Sequence, residues 1–221
     1  MFEFLEGYDL LGAFWVTVQL AVYSALGSLI WGTLLAGMKV SPVPLMRGFA
    51  TAYVNVVRNI PLTVIIVFSS LGLNQTLTIS LGADVIEDIN FRLAVLALVA
   101  YTAAFVCEAL RSGINTVPVG QAEAARALGL SFTQVLRLII LPQAFRAVVN
   151  PLSNVLIALT KNTTIASAIG VVEASYLMKD MIEAEAQLIL IALVFAFGFV
   201  VLTLPTGLIL GWVSKKVAVK R

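Results

Sequence analysis

The 221-residue sequence predicts an all-α integral membrane protein, a bundle of five transmembrane helices, and three observations predict it. First, 60% of the residues are hydrophobic, only 12% are charged, and the mean hydropathy is +1.01. A water-facing exterior needs roughly a quarter of its residues charged, so lipid is the solvent for most of this chain. Second, five apolar runs are each long enough to cross a hydrocarbon core about 30 Å thick, which takes roughly 20 helical residues. They fall at Leu10–Met38, Phe49–Leu71, Phe91–Leu110, Val148–Ile169 and Leu188–Trp212. Third, the connections between them alternate in charge. Lys39 and Arg47 follow the first run, Arg111, Arg126, Arg137 and Arg146 follow the third, and Lys215, Lys216, Lys220 and Arg221 form the tail, ten of the 14 Lys and Arg. The other segments are acidic: Glu3, Glu6 and Asp9, then Asp84, Glu87 and Asp88, then Glu173, Asp180, Glu183 and Glu185, with Arg92 and Lys179 their only basic members. Cytoplasmic loops collect Lys and Arg, which puts the amino terminus outside and the carboxyl terminus inside, as an odd number of spans requires. The runs are continuous rather than alternating, which favours helices over a barrel because backbone groups in lipid are satisfied within a helical segment.

The first run follows acidic residues rather than a basic segment and is too long for the core of a signal peptide, so it reads as a retained helix. Ser24, Ser28, Gly32 and Ala36 recur along it every four residues. Such a stripe of small side chains lets helix backbones approach closely and points to packing in a bundle. The brief connection that follows is punctuated by Pro42 and Pro44, a turn between helices. The second run carries Arg58 and Asn59. The connection Gly72–Asn90 is polar, with Asn74, Gln75 and Thr76, and has room for a short helix.

After the third run the chain spends far more residues than a turn requires, from Arg111 to about Ala147, and long loops with their own periodic structure are usually functional. Pro118 can begin a helix there, and Gln121–Leu128 is rich in strong helix formers. Gly129 fits a helix stop and Ser131 the N-cap of a second helix, Phe132–Ile140, which Pro142 would end or kink. The expectation is two short helices with a break between them, lying in the cytoplasm. Physics alone leaves open whether they do more than anchor the bundle at the interface. Single Cys107 offers no internal disulfide, and with no His anywhere a thiol or imidazole metal site is not expected.

Within that loop Glu123-Ala124-Ala125, Gly129, Ile139, Leu141 and Pro142 resemble the EAA motif of the permease subunits of ABC importers, EAA-x3-G-x9-I-x-LP, without a gap. Arg58-Asn59-Ile60-Pro61-Leu62 and Lys161-Asn162-Thr163-Thr164 resemble stretches of the polar amino-acid branch of that family, as does Glu108-x-x-Arg111. The resemblance covers nearly the whole chain and is most similar among actinobacterial glutamate permeases. It implies the type I importer (MetI-like) permease fold, one membrane domain over residues 1–221 in the cell membrane, and a complex of two permease chains, two cytoplasmic ATPases and an extracellular binding protein. The second permease could be a copy of this chain or a homologue. The EAA helix would be a coupling helix docked on the ATPase, with Ala124 and Ala125 allowing close packing, Gly129 the sharp turn, and Glu123 or Arg126 polar contacts at the rim. No G-x-x-x-x-G-K-[ST] phosphate loop occurs, so ATP and Mg²⁺ would be held by the partner and this chain would need no cofactor of its own. No nucleic acid is expected among its partners.

Two cations fall inside the runs, Arg58 nine residues into the second and Lys161 thirteen into the fourth. At about 1.5 Å per residue the sequence puts them within roughly 6 Å of each other in depth, with no acidic residue at that level. Glu108 is expected nearer the cytoplasmic end, within a turn of Arg111. Each buried cation costs at least about 2.5 kcal/mol at the bilayer centre, so by default the pair lines an aqueous or ligand cavity. Unmatched cations there would favour a ligand carboxylate, with Asn59, Asn162, Thr163 and Thr164 as hydrogen-bonding neighbours. The alternative is that they bond helix carbonyls or a second permease chain.

Other classes fit less well. An ATP-independent secondary amino-acid carrier or channel would carry inverted repeats with interrupted helices, or a pore-lining acidic ring, and neither is visible. An intramembrane enzyme would need a nucleophile with its base, or a metal set, within the spans. A scaffold subunit without a path of its own remains open on sequence.

Overall fold

The computed structural model describes residues 7–217. Glu3, Glu6, Lys220 and Arg221, which enter the charge argument, lie outside the described residues, as does the side chain of Lys215. Nine α-helices follow in order: α1 Leu10–Lys39, α2 Pro44–Asn59, α3 Leu62–Phe68, α4 Ile86–Ile114, α5 Val119–Ala127, α6 Phe132–Val135, α7 Leu141–Asn162, α8 Ala174–Glu185 and α9 Leu188–Val217. The chain is helical with no strand among the described residues.

α4 is the central rod. Leu93, Ala94, Leu98, Ala103 and Val106 on it are fully buried. The small-residue stripe of α1 is buried against it, as the four-residue spacing predicts. A Cβ on Gly32 would stand 2.6 Å from the Val106 side chain and 2.8 Å from the Ala103 carbonyl oxygen, so only glycine admits this crossing. Gly113 serves the same purpose at the other crossing of α4, where it faces Val148 and the Ala144 carbonyl of α7. α9 lies outermost. It is pinned by buried Ile191 and Phe195, with the Phe195 ring 5.7 Å from that of Phe14, and it exposes Leu193, Phe197, Leu204 and Leu208 to what must be lipid.

Among the described residues four helical stretches are long and apolar enough to span, and a fifth qualifies only as a bent pair. That pair is the second predicted span, and here the sequence reading is corrected. The run is not one helix. α2 and α3 meet at a 102° bend. Ile60 is extended, at φ −98° and ψ 133°, because the ring of Pro61 disfavours helical backbone in the residue before it. Pro61 then serves as the N-cap of α3. α3 runs along the bundle, clustering Leu62 and Ile66 with Ala97, Leu98 and Leu159, and continues as a wide π-helical turn through Ser69–Thr76. α2 therefore lies across the bundle, with Ala50 and Val54 against Leu35, Ala36, Ala103 and Cys107.

A second correction concerns the long loop. Of the two outcomes expected at Pro142, the helix end is not found: helical backbone is continuous from Phe132 to Ile169. The predicted N-cap Ser131 does form a reciprocal capping box with Gln134. The helix then widens into a π turn, Leu136–Ile140, in which the Leu141 N–H donates to the Leu136 carbonyl five residues back. Widening the ladder just ahead of Pro142 removes the carbonyl that its ring would strike, and places the proline in the first turn of α7, where no N–H is needed. The far connection holds a helix the sequence reading missed, α8. It seats Ala174, Leu177 and Met181 against α1 and α9.

Candidate functional site

Two regions gather the predicted residues. The first is α5, which projects from the end of the bundle that carries Lys39 and Arg111, hereafter the basic end. Pro118 caps α5 at its start. At its far end Gly129, at φ +84°, closes a Schellman motif: its N–H donates to the Arg126 carbonyl and the Leu130 N–H to that of Ala125. Only glycine takes that backbone without strain. Ala125 is buried, whereas Glu123, Ala124 and Arg126 face outward. Val119, Leu128 and Phe132 are 73%, 84% and 66% exposed, an apolar rim on a segment outside the spans. Gln143 Nε2 donates to Gln121 Oε1 at 2.6 Å and to the Ile139 carbonyl, tying α5 to the start of α7. Leu141 and Pro142 are exposed and Ile139 is half-buried beside them.

The second region lies along α2, α4 and α7. Both α2 and α7 are amphipathic, unlike the uniformly apolar α1, α4 and α9. α2 exposes Asn55, Arg58 and Asn59, and α7 exposes Asn150, Asn154 and Lys161, which share a face at four- and seven-residue spacing. A cavity of about 270 Å³ opens between α4 and α7, lined by Tyr101, Thr102, Phe105, Asn154, Ala158 and Asn162 among others. The Thr102 hydroxyl is buried without a hydrogen-bond partner among the described residues. The Arg58 guanidinium sits over the Phe105 ring, 5.5 Å from its centroid.

The predicted pairing of the two cations is not found. Arg58 lies level with Phe105 and Glu108, whereas Leu159, two residues before Lys161, clusters with Ala97 and Leu98. About eight residues of α4 separate those levels, roughly 12 Å. Because α2 crosses the bundle, its residues gain no depth at the helical rise. Nor is Arg58 without an acidic neighbour: Glu108 Oε2 lies 3.9 Å from its Nη1. Glu108 also binds Lys39 of α1, and it accepts from Arg111 at 3.2 Å. Of the predicted hydrogen-bonding neighbours, Asn162 lines the cavity. Asn59 Nδ2 is spent on the Asn55 carbonyl, and the Thr163 and Thr164 hydroxyls donate to the carbonyls of Thr160 and Lys161. Sequence reasoning missed Tyr101, Thr102, Phe105, Asn154 and the Glu108 node. The asparagine spacing on α7 was a readable signal for Asn154. No three His, Cys, Asp or Glu side chains gather to hold a metal among the described residues.

A helical bundle in lipid with two amphipathic members, and between its spans a largely apolar cavity that carries Thr102, Asn154 and Asn162, has the makings of a membrane transport component. Residues 28–219 match the family described as binding-protein-dependent transport system inner membrane component, and the chain belongs to that family. It is thus a multi-pass inner-membrane permease of an ABC system, working with binding-protein and ATPase partners and not itself the hydrolysing enzyme. It is similar to a glutamate transport system permease protein of Corynebacterium efficiens, 59% identical over 97% of this chain and 96% of the relative. The counterpart in Corynebacterium glutamicum is 56% identical over the same shares. Among solved structures it is similar to an amino acid ABC transporter crystallised with histidines, at 26% identity and a TM-score of 0.83, over 94% of this chain and 93% of that one. The methionine transporter MetNI shares the fold at 20% identity and a TM-score of 0.75, over 95% and 96%.

Proposed function

We propose that this chain is one of two permease subunits, copies or homologues, through which an ATP-driven importer carries glutamate into the cell. Residues 1–221 act as one membrane domain, with the amino terminus outside and the basic end in the cytoplasm. Two ATP-binding subunits, holding ATP and Mg²⁺, dock on α5, and an extracellular binding protein delivers solute at the other end. The observation that carries the reading is the polar face of α7. Asn150, Asn154 and Lys161 stand exposed on a membrane span, where lipid contact would cost several kcal/mol, so that face borders a water-lined path or the second permease.

Glutamate as the solute is supported by near full-length likeness to two glutamate permeases. A dicarboxylate also suits a path bordered by Arg58 and Lys161, with Asn162 and Asn154 as hydrogen-bonding neighbours. The corrected geometry puts these cations at successive levels, so they would meet the solute in turn rather than together. Docking on α5 is supported by its exposed apolar rim, with Glu123 and Arg126 at the edge and the Gly129 turn fixing its end. Proteoliposomes holding the complete complex should accumulate glutamate only with ATP and binding protein present. Accumulation without the ATPase subunits would overturn the reading in favour of a carrier.

A further inference from the structure

Arg58 is an arginine with its donors unspent. Among the described residues no acceptor lies within hydrogen-bond distance of it, its side chain is 45% exposed, and its one acidic neighbour stands off at 3.9 Å. Glu108 accepts its hydrogen bonds from Lys39 and Arg111 instead. One carboxylate thus faces three cations, from the ends of α1, α2 and α4, and the cluster is short of negative charge. Arg111 Nε, buried with no hydrogen-bond partner among the described residues, is a second sign of that shortage. All of this lies one aromatic ring away from the cavity, since Arg58 stacks on the Phe105 ring that lines it.

A guanidinium binds carboxylates best through two parallel N–H donors, and Glu108 at its present distance makes neither bond. The geometry points to Glu108 as a resident counter-ion for Arg58, a carboxylate of the protein that the carboxylate of an anionic amino acid displaces as it passes the cavity between α4 and α7. The inference rests on the proposed path for an acidic solute and adds a residue to it. Its chemistry is a competition of two carboxylates for one fixed cation: the solute brings its own negative charge to a cluster of three cations and one carboxylate, and Glu108 stays behind on Lys39 and Arg111. Lys39 and Arg111 set the balance by holding Glu108 back. Without that hold Glu108 would close on Arg58, and without Glu108 the solute would be retained. Glu108 is therefore a positioning residue, acting on the solute through Arg58.

The test uses the assembled complex in nanodiscs, without binding protein, and reads equilibrium binding of radiolabelled L-glutamate. Glu108→Gln should tighten binding about tenfold and slow transport turnover, because release is delayed. Lys39→Met should act in the opposite direction, weakening binding severalfold as Glu108 moves onto Arg58. A merely structural role for Glu108 predicts that both variants weaken binding, or neither does, and that result overturns the inference. Arg58→Gln separates the two layers. If it binds glutamate as the parent does, the proposed path past Arg58 fails. If it weakens binding while Glu108→Gln fails to tighten it, the path stands and the counter-ion does not. Copurification with the ATPase subunits checks that each variant assembles, and should Glu108→Gln not assemble, a Lys39→Met complex that binds as tightly as the parent overturns the inference by itself.

Discussion

A carboxyl group closed off from solvent ties α8 to the first third of α1. Glu173 caps α8, accepting from the Ser175 and Tyr176 N–H groups, and Thr17 reaches it from α1 while also accepting from the Ala174 N–H. Burial pushes the Glu173 carboxyl up to about 7, outweighing those hydrogen bonds and the nearby Lys179 charge, which favour the ionised form. A folded state that holds its proton to higher pH than the unfolded chain gains stability below the ordinary carboxylate range and loses it as pH rises through about 7. The α8 amides should accordingly exchange hydrogen more slowly at pH 5 than at pH 8, after correction for intrinsic rates, and Glu173→Gln should flatten the difference. An unchanged profile in that variant would remove Glu173 as the cause. Sequence alone gave no sign of this residue's part, since an acidic residue between spans is most simply a solvated one. What buries it is α8, and α8 was not foreseen.

At the scale of elements, α5 is the part the sequence specified most completely. Gly129 and Ser131 each occupy the capping position their chemistry demands, because caps are local and need no tertiary partner, and Pro118 stands one residue ahead of the first turn expected for it. Glu123→Arg should abolish copurification with the ATPase subunits while leaving the membrane bundle folded by thermal melt. Gly129→Ala should weaken it, since alanine at φ +84° costs about 1 kcal/mol in the turn that ends α5. Binding retained in both variants would move the contact elsewhere. The two elements that were misread failed for opposite reasons. Hydropathy averages over about 19 residues and is blind to single-residue backbone chemistry. It fused α2 with α3 across Ile60-Pro61, although the proline rule marks that junction. The proline rule itself was applied at Pro142, where a π turn absorbs the ring in a way no local propensity announces. The error at Pro61 displaced Arg58 in depth and hid its ionic neighbour.

For the whole molecule, composition sufficed for an all-helical membrane protein, because lipid leaves a chain few ways to satisfy its backbone, whereas the permease fold was carried by the resemblance at the long loop. Orientation is open to direct measurement. Cys107 is the only cysteine and is buried, so Cys107→Ser gives a clean background. In that background a cysteine at Asp180 should react with a membrane-impermeant thiol reagent on intact cells, and one at Ala127 only after permeabilisation. The reverse pattern would invert the proposed topology. Continuity of the segment from Phe132 to Ile169 also has a mechanical meaning. At the helical rise its 38 residues make a rod about 57 Å long, held closest to α4 where Gly113 meets Ala144 and Val148. Taken as a lever with its fulcrum there, the arms are about 21 and 35 Å. A push on the short arm, beside α5, swings the long arm through about 1.7 times the distance, a gearing that a hinge at Pro142 would have thrown away.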